Sequence, residues 1–392
     1  MRELTMAEKN HNVLEVAFAF LKIGALGYGG PALWGLIQAE VQERRGWLTK
    51  ERYLEGLALV QTLPGAPAVQ MCIFTGYQRA GWWGGVLAGL AFCAPAFAIM
   101  LALTGLYSAY GALPVMRDAF YGLSPVVLGV FAVATYRLGK NAIKDRVSIA
   151  VAIAAAAVVL LPGVGVAGTL MLAGCAGVAL YHSRKRGLVA MLVTAILVAA
   201  EHFVEPMLSA GNSGPVSRSV WDVGVFFLKV GAVTFGGGLS ILAFVQDQVV
   251  NQFHWITSSQ FLDGLTIGQF TPGPIIMVAA YVGYAVAGVP GAAVAAGAIF
   301  LPSFVLMLAI LPFLERVRSL AWIKAAMRAI SPAVIGTICV TIAQLAPHAA
   351  PDAFTAVLLT LTVVALLAWR KLPVLPSLLG GGLVGILKGA LR

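Results

Sequence analysis

An eleven-residue block occurs twice in this chain. Phe20-Leu-Lys-Ile-Gly-Ala-Leu-Gly-Tyr-Gly-Gly30 returns as Phe227-Leu-Lys-Val-Gly-Ala-Val-Thr-Phe-Gly-Gly237, 207 residues on. Trp47-Leu-Thr49 returns as Trp255-Ile-Thr257, and Gln61, Pro64 and Gly65 return as Gln269, Pro272 and Gly273. Gly76-Tyr77 matches Gly283-Tyr284, Pro95 matches Pro302, and Ser124-Pro125 matches Ser331-Pro332. A spacing this steady over about a hundred residues marks an internal duplication. It divides the chain into an N-terminal repeat over 1–187, a joining helix and loop over 188–207, and a C-terminal repeat over 208–392.

Both repeats are filled with stretches long and apolar enough to cross a bilayer. Only 11% of the 392 residues are charged and 60% are hydrophobic, against roughly a quarter charged in a soluble chain. The fold class is therefore an all-α polytopic membrane protein. Soluble enzymes and nucleic-acid-binding domains are excluded despite the net charge of +10, which reads as loop Lys and Arg that set orientation. The N-terminus has no signal-peptide pattern; it is expected on the cytoplasmic side, with the first membrane element directing its own insertion. Cys72, Cys93, Cys175 and Cys339 lie inside apolar segments without CxxC spacing, so neither a metal site nor a disulfide framework is indicated.

The loop charges alternate between the repeats. Arg137, Lys140, Lys144 and Arg146 have no basic counterpart over 343–353, whereas Arg316, Arg318, Lys324 and Arg328 face only Arg117. Positive loops mark the cytoplasmic side, so the two repeats are expected to be inverted in topology. Inverted repeats with a site at the midplane between them characterise secondary transporters.

Two segments in each repeat are too short to span. In the first, arms over 13–26 and 31–44 flank Gly27-Tyr-Gly-Gly-Pro31, and arms over 50–63 and 67–79 flank Pro64-Gly-Ala-Pro67. Each arm makes about 20 Å of helix against a core of about 30 Å. The flanking residues Arg44, Arg45, Lys50, Arg52 and Arg79 are all basic, so two re-entrant hairpins open on one face. About four spans follow, near 82–110, 113–139, 147–161 and 164–182.

A hairpin broken by Gly and Pro exposes backbone groups that are tolerable only against protein or a polar cavity. Pro31 and Pro67 suit the first turn of a helix, which places free N–H groups and a positive dipole end at membrane depth. Such a site suits an anion with several acceptor oxygens; the alternative is that Gly and Pro only permit close packing. The candidate substrate-binding residues are Lys22, Gly29, Gly30, Gln61, Pro64, Gly65 and Gln70 in the first repeat. Lys229, Gly236, Gly237, Gln269, Thr271, Pro272 and Gly273 are those of the second. A buried membrane cation is costly and usually functional. Lys22 and Lys229 either supply charge to the anion or form structural ion pairs with Glu15 and Asp222, seven residues upstream. Glu40 with Asp247 and Glu55 with Asp263 are further carboxylates that carry protons or anchor the interface. Gly85-xxx-Gly89 and Gly381-xxx-Gly385 fit close helix packing, within the fold or in a homodimer. No HExxH, GxSxG or Walker loop occurs, so no enzyme, cofactor or ATP-driven step is expected.

The paired blocks Phe20–Pro31 and Phe227–Gly238, the Trp-containing connectors and Gln-x-x-Pro-Gly in each repeat resemble the chromate ion transporter family, in its long two-domain form. Phe235-Gly-Gly-Gly-Leu239, Phe261-Leu-Asp-Gly264, Gln269-x-Thr-Pro-Gly-Pro274 and Phe300-Leu-Pro302 carry the resemblance most specifically. It implies a bacterial inner-membrane carrier that extrudes chromate, an antiporter driven by membrane potential or a proton gradient and conferring chromate resistance. Sulfate, of the same shape and charge, is the expected competitor. The first repeat departs from the usual Pro-Gly-Pro, reading Pro64-Gly-Ala66 with the next proline at Pro67; Tyr28, Leu33 and Trp34 also depart. The alternatives are a carrier for sulfate or another oxyanion, a passive anion channel, and an intramembrane enzyme, which lacks a catalytic constellation.

Overall fold

The computed structural model describes residues 6–27, 30–61, 63–161, 164–209, 219–234, 239–313, 321–369 and 374–391. Among these residues the regular structure is helical. The first repeat runs α1 (Met6–Leu26), α2 (Gly30–Gln38) continuing as a π turn over Ala39–Arg44, α3 (Lys50–Val60) and α4 (Pro67–Tyr110). It continues with α5 (Pro114–Ala142), α6 (Arg146–Val158) and α7 (Gly165–Tyr181), and α8 (Arg184–Ser209) leads on to the second repeat. That repeat holds α9 (Val220–Val233), α10 (Ser240–Phe244) with a π turn over Val245–Gln252, α11 (Ser258–Phe270) and α12 (Val278–Ile310). It closes with α13 (Ala321–Ala349), α14 (Ala353–Ala368) and α15 (Val374–Ala390). Four of the described segments are long and apolar enough to cross a membrane, and four shorter helices are apolar. The chain is a multi-pass membrane protein.

α4 and α12 each contain a reversal at the same repeat position. Ala80 and Gly81 leave helical geometry at φ −141° and +66°, and Ala287 and Gly288 repeat this at −142° and +62°. The positive φ suits glycine, the residue without a Cβ. Beyond the turn the chain folds back, so that Gly76 lies against the Gly84 carbonyl and Gly283 against that of Gly291. The arm expected over 67–79 and the span expected from 82 are therefore distinct helices joined by a two-residue corner.

The chain forms two compact units, and each draws on both repeats. The first contains residues 1–105, 223–238 and 267–319. In it α1 packs on α4 where Gly24 meets the backbone of Phe92, and α9 packs on α12 where Gly231 meets that of Ile299. A side chain at either glycine would overlap a carbonyl, so these contacts require bare backbone. Val16, Ala19, Phe20 and Ile23 of α1 and Val223, Phe226, Phe227 and Val230 of α9 are buried, spaced three and four apart as one helix face demands.

The second unit contains residues 106–222, 239–266 and 320–392. Here α5 packs against α14 and α15 of the other repeat, through Gly129 on Thr362 and Gly122 on Gly381 and Gly385. In return α13 packs against α6 and α7, through Gly336 on Ala152 and Gly177 on Ala325. Gly381 and Gly385 thus serve packing within the chain, and in the first unit Gly85 and Gly89 do so against Ile73, Leu308 and Phe304. The repeats interlock by exchanging helices. Matching capping boxes begin α6 and α14: Asp145 with Ser148, and Asp352 with Thr355. Each joins a side chain to an N–H that the helix itself cannot satisfy.

Candidate functional site

The first hairpin closes as its residues predict. Glu15 of α1 binds Arg45 at 2.9 Å, and Phe20 lies 6.4 Å from the Trp47 ring. The second hairpin places Gly56 of α3 against the Phe74 ring and Arg52 over that ring at 5.8 Å. Arg79, at the end of the second hairpin, reaches Glu15 at 3.2 Å and the Trp47 face at 5.8 Å. The open ends of both hairpins therefore meet in one cluster of Glu15, Arg45, Trp47 and Arg79, as the basic flanks lead one to expect.

At the breaks, the two repeats of the first unit complete each other. The Gly65 N–H donates to the Thr234 carbonyl at 2.7 Å, and the Gly273 N–H donates to the Gly27 carbonyl at 2.8 Å. Gly27 and Thr234 are equivalent positions, as are Gly65 and Gly273. Each Pro-Gly turn thus satisfies the last carbonyl of the other repeat's first helix, a group with no partner of its own along the helix. The two bonds join equivalent positions with the repeats exchanged. Gly65 and Gly273 hold φ of +116° and +96°. A Cβ at Gly65 would lie 2.7 Å from Gln70 Nε2, and one at Gly273 would lie 2.9 Å from the Ala96 Cβ.

The departure at Ala66 has a local cause. A proline has no N–H, so Pro274 asks nothing of its surroundings at this corner, and the residue facing the second break is Ala96. Ala66 does have an N–H, and the Ser303 hydroxyl accepts it at 2.9 Å inside the protein. Ser303 is the repeat equivalent of Ala96, so the Pro-to-Ala and Ala-to-Ser differences compensate one another. Gln70, fully buried, donates through Nε2 to the Pro64 carbonyl at 2.6 Å, and its Oε1 has no hydrogen-bond partner among the described residues. Thr271, also buried, donates to the Ile267 carbonyl at 3.0 Å and faces Met100 Sδ at 3.5 Å.

Of the expected substrate-binding residues, Pro64, Gly65 and Gln70 lie at the first break, and Thr271, Pro272 and Gly273 at the second. Gln61 is exposed and Gln269 half-buried, both at the ends of the arms that lead into it. Gly30 begins α2, and Gly29, Gly236 and Gly237 lie outside the described residues. Lys22 and Lys229 are both exposed, on faces shared with Phe18 and Leu21 in α1 and with Leu228 in α9. Glu15 is engaged by Arg45 and Arg79, and Asp222 accepts from the Ser219 hydroxyl at 2.6 Å. Ser303 and Thr234 were not among the expected residues; the mismatch of Ala66 with Pro274 and of Ala96 with Ser303 was the signal for the first.

The first turn of the arm that opens at Pro67 leaves the N–H groups of Ala68 and Val69 without intrahelical acceptors. With the dipole of that arm they form a donor set for an anion. The other carboxylates are placed as follows. Glu40 is held by Arg45 at 2.7 Å and Arg44 at 3.2 Å, and Glu55 by Arg52 at 2.8 Å. Asp247 accepts from the Val166 N–H at the start of α7 at 3.2 Å. Asp263 accepts a hydrogen bond from the Tyr107 hydroxyl.

The chromate transporter family model matches residues 14–180 and again residues 221–386. The chain is 34% identical to the chromate transport protein of Cupriavidus metallidurans, over 96% of this chain and 93% of that one. It is 32% identical to the chromate transport protein of Pseudomonas aeruginosa, over 93% and 90%. It is also 32% identical to a probable chromate transport protein of Synechococcus elongatus, over 76% and 75%. No solved structure matches the chain.

Proposed function

The chain belongs to the chromate transporter family, and from that premise we propose that it is a secondary active carrier exporting chromate across the bacterial inner membrane. The driving force is the membrane potential or a proton gradient, and the physiological result is chromate resistance. The observation that carries the reading is the reciprocal pair of hydrogen bonds, Gly65 to Thr234 and Gly273 to Gly27. It pairs each Pro-Gly break with a helix end of the other repeat, which supports a site built from broken helices of inverted repeats. The alternating loop charges support inversion, with the two-fold axis in the membrane plane and the two breaks entered from opposite sides.

The chemistry follows from the donor set. A tetrahedral oxyanion offers more acceptor oxygens than any one N–H can satisfy, and the N–H groups of Ala68 and Val69 supply a fixed pair without a permanent cation. A site held by dipoles rather than by a buried lysine releases its anion more easily, which a carrier requires. Lys22 and Lys229, one turn before each break, add positive potential from the outer faces of α1 and α9.

Chromate uptake into energised everted vesicles tests the reading. Saturable accumulation that depends on energy and falls with excess sulfate is expected. Flux that rises linearly with chromate and ignores energisation would replace the carrier with a channel. No chromate flux in vesicles holding folded protein would move the substrate to another oxyanion.

A further inference from the structure

A cleft of about 230 Å³ opens within the second unit, where the end of α4 meets the starts of α5 and α11 and the end of α13. Its polar lining includes Tyr107, Arg117, Tyr121, Ser259, Asp263 and His348. Asp263 Oδ2 accepts from Tyr107, which leaves Oδ1 for a second partner. Behind Tyr121 stand Asp352 and Lys388: Tyr121 donates to Asp352, and Lys388 bonds Tyr121 and lies 3.4 Å from Asp352. Among the described residues, Asp263 is the one carboxylate that lines the cleft itself.

Comparison of the repeats shows how Asp263 came to differ. Its equivalent, Glu55, is neutralised by Arg52, three residues before it. Position 260 holds glutamine instead, and Gln260 is spent on a capping box with Thr257, the two bonds being 2.9 and 3.2 Å. The second repeat therefore lacks the arginine that pairs with Glu55. Glu15 and Glu40 are likewise bound to arginines. Asp222 is tied to Ser219, and Asp247 to an N–H at the start of α7. Asp263 alone among these six combines a neutral partner with access to a cleft.

We propose that this cleft is the proton port of the carrier, with Asp263 as the group that takes up and releases the coupling proton. The proposal rests on the carrier reading above. A proton leaves a hydronium in the cleft and forms an O–H bond at Asp263 Oδ1, while Tyr107 keeps its hydrogen bond to Oδ2. No electron is exchanged, and the carboxyl becomes neutral. Arg117, Tyr121 and His348 share the cleft with this carboxyl. Asp263 lies on α11, whose last residue, Phe270, precedes Thr271 in the chain.

The full-length protein in proteoliposomes tests this with two readouts. One is chromate exchange, with chromate on both sides; the other is chromate-driven movement of protons, followed by a luminal pH dye. Asp263→Asn is expected to keep exchange and lose proton movement, Asp263→Glu to restore it, and Glu55→Gln to keep both. Proton movement that survives Asp263→Asn overturns the port, as does wild-type exchange without any proton movement, which leaves the carrier standing. Absence of wild-type exchange overturns the carrier and the port with it. Where Asp263→Asn fails to assemble, Tyr107→Phe decides. Loss of a donor to the carboxylate is expected to move the pH midpoint of transport upward, and an unmoved midpoint refutes the assignment.

Discussion

Ser303→Ala removes the acceptor for the Ala66 N–H and changes little else, because alanine is what the second break already has at the equivalent Ala96. Ala66 is buried, so an orphaned N–H there carries a desolvation penalty of about 1–3 kcal/mol. Ala66→Pro deletes the same donor from the other side and restores the Pro-Gly-Pro of the second repeat. The residue precedes Pro67, which already favours an extended backbone compatible with proline. In the Ala66→Pro background, Ser303→Ala then leaves no unpaired amide and costs only the hydroxyl's own contacts. The double mutant should recover about 1–2 kcal/mol relative to the sum of the single changes, within the range of coupling seen for residues in direct contact. Unfolding of the four proteins in mixed micelles, by a denaturant series, measures this coupling. If Ser303→Ala costs the same in both backgrounds, the hydroxyl is not what satisfies the amide, and the compensation between the repeats is refuted.

Gly81→Ala and Gly288→Ala should each cost about 1–2 kcal/mol from the left-handed backbone alone, since a Cβ at either position meets open space; a thermal melt showing no loss for either would refute the corner. Glu15→Gln should weaken the cluster with Arg45 and Arg79 by about 1 kcal/mol or less, because the pair is part-exposed. Its effect should shrink as salt is raised, which melting at several ionic strengths would reveal. The Thr355 N–H, Tyr121, the Thr355 hydroxyl and Lys388 hold the Asp352 carboxyl well below the usual carboxylate range. A lowered folded value contributes stability that is present above the unfolded value, about 4, and is lost as pH falls below it. Asp352→Asn should therefore flatten the acid limb of a melting-temperature profile; an unchanged limb would show that other groups set it.

Much of the fold is visible in the chain because the duplication repeats its backbone irregularities. Gly81 and Gly288 sit at one repeat position, and a corner needed twice leaves its glycine twice; the same holds for Asp145 with Ser148 and Asp352 with Thr355. The basic flanks announced the meeting of the hairpin ends, since Arg45 and Arg79 are separated by one hairpin and share a face with Glu15. What sequence reasoning could not supply is partnership at long range. That Gly65 answers to Thr234, and Ala66 to Ser303, follows from how the repeats interlock and not from any local pattern. The pairing of Lys22 with Glu15 was reasonable from a spacing of two turns, but the arginines of neighbouring arms reach Glu15 instead. Asp263 looked equivalent to Glu55 until Gln260 was seen to have replaced the arginine.

The reciprocal bonds at the breaks also set an order of events during synthesis. The N-terminal repeat is made first, yet the acceptor for its Ala66 amide lies 237 residues downstream, and the donor for its Gly27 carbonyl comes only with Gly273. Until the last third of the chain has entered the membrane, the first repeat must wait with its break unfinished. A nascent chain arrested before Ser303 would hold open polar backbone in lipid, the form a quality-control protease is best placed to find. Completion of the second repeat is thus also the maturation step of the first.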